Sequence, residues 1–244
     1  MKAMIFAAGL GTRLRPITNT LPKALVQVSG KPLLQHVIEK LSAAGFDEIV
    51  INVHHFPEQI IRFLQDNHHF GLHIHVSDES DRLLDTGGGL RKASWALEGD
   101  EPFLAHNVDI LSGADLRELY NAHIAQGGLA TLLVSQRKTS RYLLFDEHNR
   151  LKGWINELTG EVKSPYPDFR ADEHLRFAFS GIQVISPAIF EWMKGLPEKF
   201  SIIDFYLSMA AKMEIRAHIV PDLPLVDVGK VDSLAKAENG ERYI

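Results

Sequence analysis

Apolar residues along this chain follow two rhythms. Lys2 to Ala8 is a short, nearly unbroken apolar run, and Glu48 to Val53 repeats it with β-branched side chains. Such runs suit strands buried on both faces. Residues 32–44 place Leu33, Leu34, Val37, Ile38 and Leu41 at helical spacing, and Gly45 follows as a stop. Pro57 opens a second helix at its favoured first position, with Ile60, Ile61 and Leu64 inward. The spacing then predicts strands at 73–76, 102–106 and 129–134, a helix over 90–97 behind three glycines, and another over 114–126. Strands alternating with helices predict a parallel sheet covered on both faces.

The rhythm changes after about residue 136. Short strands are predicted at 142–146 and 151–155, then a polar, Pro-containing stretch at 159–174. Phe177 to Ile185 reads as another buried strand. Helices over 187–194 and 202–213, a strand over 215–220 and a closing helix over 231–241 complete the pattern. No repeat, low-complexity segment or linker divides the chain, so one domain over residues 1–244 is expected.

Composition narrows the chemistry. The chain has 244 residues, 45% of them hydrophobic, enough for one large α/β domain. A net charge of −5 without a long basic run gives no sign of a nucleic-acid surface. With no cysteine, disulfides, thiolate nucleophiles and Cys-based metal sites are excluded. The start of the chain becomes an apolar strand after one lysine, and no apolar run reaches transmembrane length. A cytoplasmic protein with no membrane partner is expected.

The chemistry concentrates near the N-terminus. Ala7-Ala8-Gly9-Leu10-Gly11-Thr12-Arg13 follows the first strand, and Leu21-Pro22-Lys23 comes soon after. Glycines let backbone N–H groups approach oxyanions, and the cations neutralise charge. This suits a polyphosphate. A dinucleotide-binding fingerprint would want a third glycine where Arg13 stands and an acid about 20 residues on. Residues 27–35 contain neither Asp nor Glu. A Walker loop would end in Gly-Lys-Ser/Thr, which is absent.

Two aspartates follow strand-like runs. Asn107-Val108-Asp109 follows Phe103 to His106, and Asp227-Val228-Gly229 follows Leu225-Val226. Ligands of open α/β sheets bind beyond the carboxyl ends of strands. Taken alone, Asp109 reads equally as a turn or capping residue, and Asp227 more readily so, since Asp before Gly is common in turns.

Together, Ala7-Ala8-Gly9-x-Gly11-Thr12-Arg13-Leu14-x-Pro16, Leu21-Pro22-Lys23-x-Leu25 and the two aspartates resemble the sugar-1-phosphate nucleotidyltransferases. The resemblance covers nearly the whole chain. It implies a Rossmann-like, three-layer α/β/α (GT-A-like) fold with a mostly parallel central sheet and a small β annex. It further implies a nucleotide-binding half over 1–136 and a sugar-binding half over 137–244. Ala8, Gly9, Gly11, Thr12 and Arg13 would hold nucleotide phosphates, with Thr86, Gly87 and Gly88 closing on the base. Arg13, Lys23 and Asp109 would serve catalysis, and Asp109 and Asp227 would share a Mg²⁺, which favours one or two carboxylates plus substrate phosphates. Asn107, Glu157 and Gly181 would face the sugar.

A closer likeness runs through Phe70-Gly71-Leu72-x-Ile74-x-x-Ser77-x-Glu79, Leu84-x-Thr86-Gly87-Gly88-Gly89, Phe179-Ser180-Gly181-Ile182 and Val226-Asp227-Val228-Gly229. These stretches look like the N-acetylmuramate-1-phosphate uridylyltransferases of cell-wall recycling. Many relatives carry Glu-Lys-Pro on the sugar side, where this chain has Asn156-Glu157-Leu158, and residues 159–174 read as extra length. The expected substrates are an NTP, UTP first, and a sugar 1-phosphate, in a monomer or simple homodimer. Competing expectations are a mannose-1-phosphate guanylyltransferase, a catalytically silent nucleotide-binding regulator on the same fold, and an oxidoreductase, the last disfavoured by Arg13. The twelve histidines show no ligand-spaced motif, and no nucleophile elbow is present.

Overall fold

The computed structural model describes residues 1–229 and 231–238. In chain order the elements are β1 (Lys2–Phe6), β2 (Gln27–Val28), β3 (Lys31–Pro32), α1 (Leu33–Ala43), β4 (Glu48–Val53), α2 (Pro57–Asp66) and β5 (His73–Asp78). Then come α3 (Asp85–Lys92), α4 (Ser94–Leu97), β6 (Phe103–Asn107), β7 (Ile110–Ser112), α5 (Leu116–Gln126) and β8 (Ala130–Ser135). The second half adds β9 (Arg141–Phe145), β10 (Leu151–Asn156), β11 (Glu161–Lys163), β12 (Leu175–Ile185), α6 (Ile189–Trp192), α7 (Ile202–Met209), β13 (Ile215–Ile219), β14 (Leu225–Asp227) and α8 (Val231–Glu238). The part of the predicted closing helix beyond Glu238 lies outside the described residues.

The main sheet runs β5-β4-β1-β6-β12-β8-β13, and β12 alone runs against the others. Alternate residues of one strand face opposite sides of a sheet. Accordingly Ala3, Ile5, Ile49 and Ile51 join one core with Leu34, Leu41, Ile60 and Leu119. Met4 and Val50 join a second core with Leu90, Leu97, Ile189 and Phe205. Helices α1, α2 and α5 thus cover one face and α3, α4, α6 and α7 the other, which is the expected three-layer arrangement. Local chemistry sets the helix starts. Pro57 begins α2 after Phe56 in the left-handed region, and Asp115 caps α5 by accepting from the Glu118 N–H at 2.9 Å.

The small annex branches from β12. Its first residues pair with β9, and β10 and β11 extend outward. The polar stretch after residue 159 therefore contributes a short strand, β11, rather than loop alone. Its backbone groups pair with Trp154, Ile155 and Asn156 of β10.

The three glycines correct an expectation. They do not lie exposed ahead of a helix; they form the middle of α3 and are buried. A β-carbon at Gly87 would sit 2.4 Å from the Phe200 ring, and one at Gly88 2.2 Å from the Glu198 carbonyl oxygen. One at Gly89 would sit 2.6 Å from Glu79 Oε1. Glycine's helix penalty is accepted here so that another chain segment and a buried carboxylate can approach. The Gly87 and Gly88 N–H groups donate to the Phe200 carbonyl at 2.9 and 3.3 Å, which satisfies donors that a helix start leaves free. Ala93 then separates α3 from α4.

Gly88→Ala tests this packing. Its β-carbon has no room against backbone, so a loss of about 1–3 kcal/mol is expected in urea unfolding, the usual cost of overpacking. An unchanged midpoint would show that the 198–200 segment gives way freely.

Candidate active site

Strands β1, β4, β5 and β6 run parallel, so their carboxyl ends open on the same edge of the sheet. The loop after β1 is tied there by the Ala7 N–H, which donates to Asn52 Oδ1 at 2.8 Å. Asn52 Nδ2 donates in turn to Glu79 Oε1 at 2.7 Å, and the Leu84 N–H donates to Glu79 Oε2 at 3.1 Å. Glu79 is fully buried, and that burial raises its carboxyl above the ordinary range. Polar groups this deep stay only when hydrogen-bonded, so the network fixes the wall it lines.

That wall encloses a cavity of about 380 Å³ lined by Ala8, Gly9, Lys23, Asn52, Glu79, Asp85, Thr86, Asn107 and Asp109. A second cavity, about 980 Å³, is lined by Arg13, Arg137, Tyr142, Trp154, Phe179 and Asp227 among others. A β-carbon at Gly9 would meet nothing within 4 Å. Gly11 differs from expectation. Within the chain it is required by its left-handed φ of +63° and by Thr18, whose Cγ2 would lie 2.8 Å from an added β-carbon. Thr18 Oγ1 donates to the Gly11 carbonyl at 2.8 Å and closes the turn.

The two aspartates meet through a small ladder absent from the sequence reading. Strand β14 pairs antiparallel with β7, with Asp227 opposite Ile110, and the Val228 N–H donates to the Asp109 carbonyl at 2.8 Å. Asp109 forms an ion pair with Lys23, which is buried to 8% exposure. Asp227 Oδ1 is buried and accepts no hydrogen bond. Burial pushes the Asp227 carboxyl up, the Asp109 charge pushes it further, and Lys23, Arg13 and Arg137 oppose both. A β-carbon on Gly229 would lie 2.6 Å from Asp227 Oδ1 and 2.9 Å from Arg13 Nη2, so bare backbone lets these groups approach. An orphaned buried carboxylate oxygen beside a second carboxylate suits a hard divalent cation. Among the described residues no group of three or more His, Asp or Glu forms a metal site, so any ion here would take further ligands from substrate.

Not every predicted residue converges. Ala8, Gly9, Lys23, Thr86, Asn107 and Asp109 line the smaller cavity, and Arg13 and Asp227 the larger. Thr12 is exposed in the turn after Gly11. Gly87 and Gly88 are packed under Phe200 with their N–H groups already used, so those N–H groups are not free for a base. Gly181, with φ +77°, gives space to Asn107, whose Nδ2 would lie 2.7 Å from an added β-carbon. Glu157 is turned to solvent and accepts from Arg176 Nη1 at 3.0 Å, lining neither cavity. Sequence reasoning missed Asn52, Asp85 and Arg137 and gave Glu79 no role. The placement of Asn52 and Arg137 at the carboxyl ends of strands was the available signal. The buried histidines stand apart. Burial holds His106 and His123 at about 4, and His123 Nδ1 bonds to Thr131 Oγ1 at 2.9 Å.

Residues 2–146 match the family model described as nucleotidyl transferase, and the chain belongs to that family. The N-acetylmuramate alpha-1-phosphate uridylyltransferase of Caulobacter vibrioides is 46% identical over 109 residues, 44% of this chain and 45% of that protein. The mannose-1-phosphate guanylyltransferase 1 of Arabidopsis thaliana is 38% identical over 235 residues, 94% of this chain and 62% of that protein. The matches thus span less than two thirds of these relatives' lengths. In fold the chain is similar to HddC from Yersinia pseudotuberculosis complexed with GMP-PN, at a TM-score of 0.77, 21% identity and 99% coverage of each chain. No helix among the described residues is long and apolar enough to cross a membrane.

The raised Asp227 carboxyl gives a signed pH effect. A folded-state value above the unfolded one means that ionisation opposes folding, with the penalty growing as pH rises from the unfolded value through the folded one. Asp227→Asn should therefore raise the metal-free urea midpoint at pH 7, and the gain should vanish near pH 3. Equal midpoints at both pH values would show that the carboxylate carries no such strain.

Proposed function

We propose that this chain is a Mg²⁺-dependent sugar-1-phosphate nucleotidyltransferase, converting an NTP and a sugar 1-phosphate to an NDP-sugar and pyrophosphate. The observation that carries this reading is the convergence of Asp109, Asp227, Lys23 and Arg13 where two cavities adjoin. The first half of the chain, residues 1–136, supplies most of the smaller cavity and would hold the nucleotide. The second half, 137–244, supplies most of the larger one and would hold the sugar.

In the reaction, a phosphate oxygen of the sugar 1-phosphate attacks the α-phosphorus in line. The new P–O bond forms as the bond to the β-phosphate oxygen breaks, and pyrophosphate leaves with that electron pair. The attacking phosphate is mostly ionised at neutral pH, since its second pKa is about 6, so no general base is needed. Positioning and charge stabilisation then supply the rate. Lys23 neutralises the phosphates as they meet, and Arg13 with backbone N–H groups around Gly9 holds the departing pyrophosphate. Asp109 and Asp227 would hold one Mg²⁺, whose contribution is to offset phosphate charge. Asn107, beside Gly181, lines the smaller cavity and would meet the acceptor only where that cavity opens toward the larger one.

UTP and N-acetylmuramate 1-phosphate are the proposed pair. The high identity to the Caulobacter vibrioides protein over its matched segment supports them. The Arabidopsis thaliana relative covers nearly all of this chain and supports GTP with mannose 1-phosphate as a second reading.

Pyrophosphate release is the test, with Mg²⁺ present and UTP, GTP, CTP and dTTP each paired with N-acetylmuramate, N-acetylglucosamine, glucose and mannose 1-phosphates. Release confined to UTP and N-acetylmuramate 1-phosphate is expected. GTP with mannose 1-phosphate would replace the substrates, and silence across the grid would remove the reaction. Gly9→Val should leave thermal stability within about 1 kcal/mol, because its side chain meets only cavity space. The same change should weaken UTP binding about tenfold or more, which corresponds to ~1.4 kcal/mol. Normal UTP affinity in that variant would move the nucleotide away from the loop.

A further inference from the structure

The larger cavity contains a cation that the reaction described above does not use. Arg137 follows β8 in the connection to β9, at the carboxyl end of a central strand. Its side chain is half-buried and lines the cavity beside Asp227. One hydrogen bond orients it: Nη2 donates to the Phe179 carbonyl at 2.9 Å, where β12 leaves its regular register against β8. Arg137 Nε is buried and donates to nothing. Among the described residues, no carboxylate lies within ion-pair distance of this guanidinium, although the charge of Asp227 acts on it from further off.

A guanidinium has five donors and stays charged at any physiological pH. Burying it without an anion is costly, and the usual remedy is a carboxylate partner. Here no carboxylate lies within ion-pair distance, and the residue lines a cavity next to the aspartate site. The geometry suits a doubly charged, multi-oxygen anion, which a guanidinium can grip with two parallel bonds. Arg13 borders the same cavity from the N-terminal loop, beside Gly229.

We propose that Arg137 is the acceptor-phosphate anchor: it binds the 1-phosphate of the incoming sugar and holds it beside Asp227 for attack. This rests on the nucleotidyltransferase reading and adds a binding residue to it. The Phe179 carbonyl fixes the guanidinium in advance, so little side-chain freedom is lost when phosphate arrives.

The test uses Arg137→Gln, which keeps a polar N–H donor at this position and removes the charge, alongside Arg137→Lys. Titration calorimetry measures N-acetylmuramate 1-phosphate, mannose 1-phosphate and UTP on the full chain, and initial rates give KM for each substrate. In Arg137→Gln, affinity and KM for the sugar 1-phosphate should worsen about 10- to 100-fold, the range for one charge-assisted pair. UTP affinity and the thermal midpoint should stay near wild type, and Arg137→Lys should recover part of the loss. Wild-type acceptor KM in Arg137→Gln would overturn the anchor while leaving the reaction standing. Parallel loss of both substrates with a lowered midpoint would make Arg137 a structural tie for β12 and also overturn the anchor. A wild-type chain that neither binds nor turns over any sugar 1-phosphate would overturn the parent reading as well.

Discussion

Holding two aspartates together against their mutual repulsion is the constraint on which this structure turns. Asp109 and Asp227 lie far apart in sequence and arrive from opposite directions. The β7–β14 ladder and the Val228–Asp109 backbone bond supply the closure. Like charges at short range cost energy, and burial removes the water that would screen them. The molecule answers with Lys23 on one carboxylate and with Arg13 and Arg137 acting at longer range on the other. One side of the site is thereby satisfied within the chain, whereas Asp227 Oδ1 is left without a partner. A site built this way is poised for ligands that bring both cation and anion.

Backbone access is the second theme. At Gly229, Gly181 and Gly89 a missing β-carbon lets a charged or polar side chain press close to main chain. At Gly87 and Gly88 the same device admits a whole segment, residues 198–200, against a helix. Glycine in these places serves packing and placement, and Gly9 alone in the N-terminal loop opens onto unfilled space.

Much of this was legible in the sequence. The apolar runs of β1, β4, β6 and β8 and the stripe of α1 identified the layers, because a buried strand and an amphipathic helix leave different periods. The N-terminal loop and both aspartates also stood out, since phosphate and cation chemistry draws on few residue types. Four things stayed hidden. The β7–β14 ladder pairs three-residue strands across the chain, and pairing at such distance leaves no local pattern. The triple glycine reads as the lead-in to a helix until Phe200 is brought over it and the helix is seen to include it. Glu157 resembled a sugar contact by position, yet Arg176 draws it to the surface. Arg137 looked like any polar residue after a strand; its burial comes from β12 and cannot be counted along the chain.

The segment that covers the glycines reaches further than the helix it packs on. Lys199 lines the smaller cavity, and Ser201, Ile203 and Asp204 line the larger. Between them Phe200 is pinned by α3 through its carbonyl, and the Ile202 N–H donates to Thr86 Oγ1 at 3.0 Å. Neither cavity can adjust this wall without displacing the other's. If both cavities fill as proposed, this common wall would be the route for any linkage between their occupants, and such linkage is reciprocal: whatever factor the first applied to the second's affinity, the second would return to the first. Six residues of unremarkable composition thus form a partition common to both cavities.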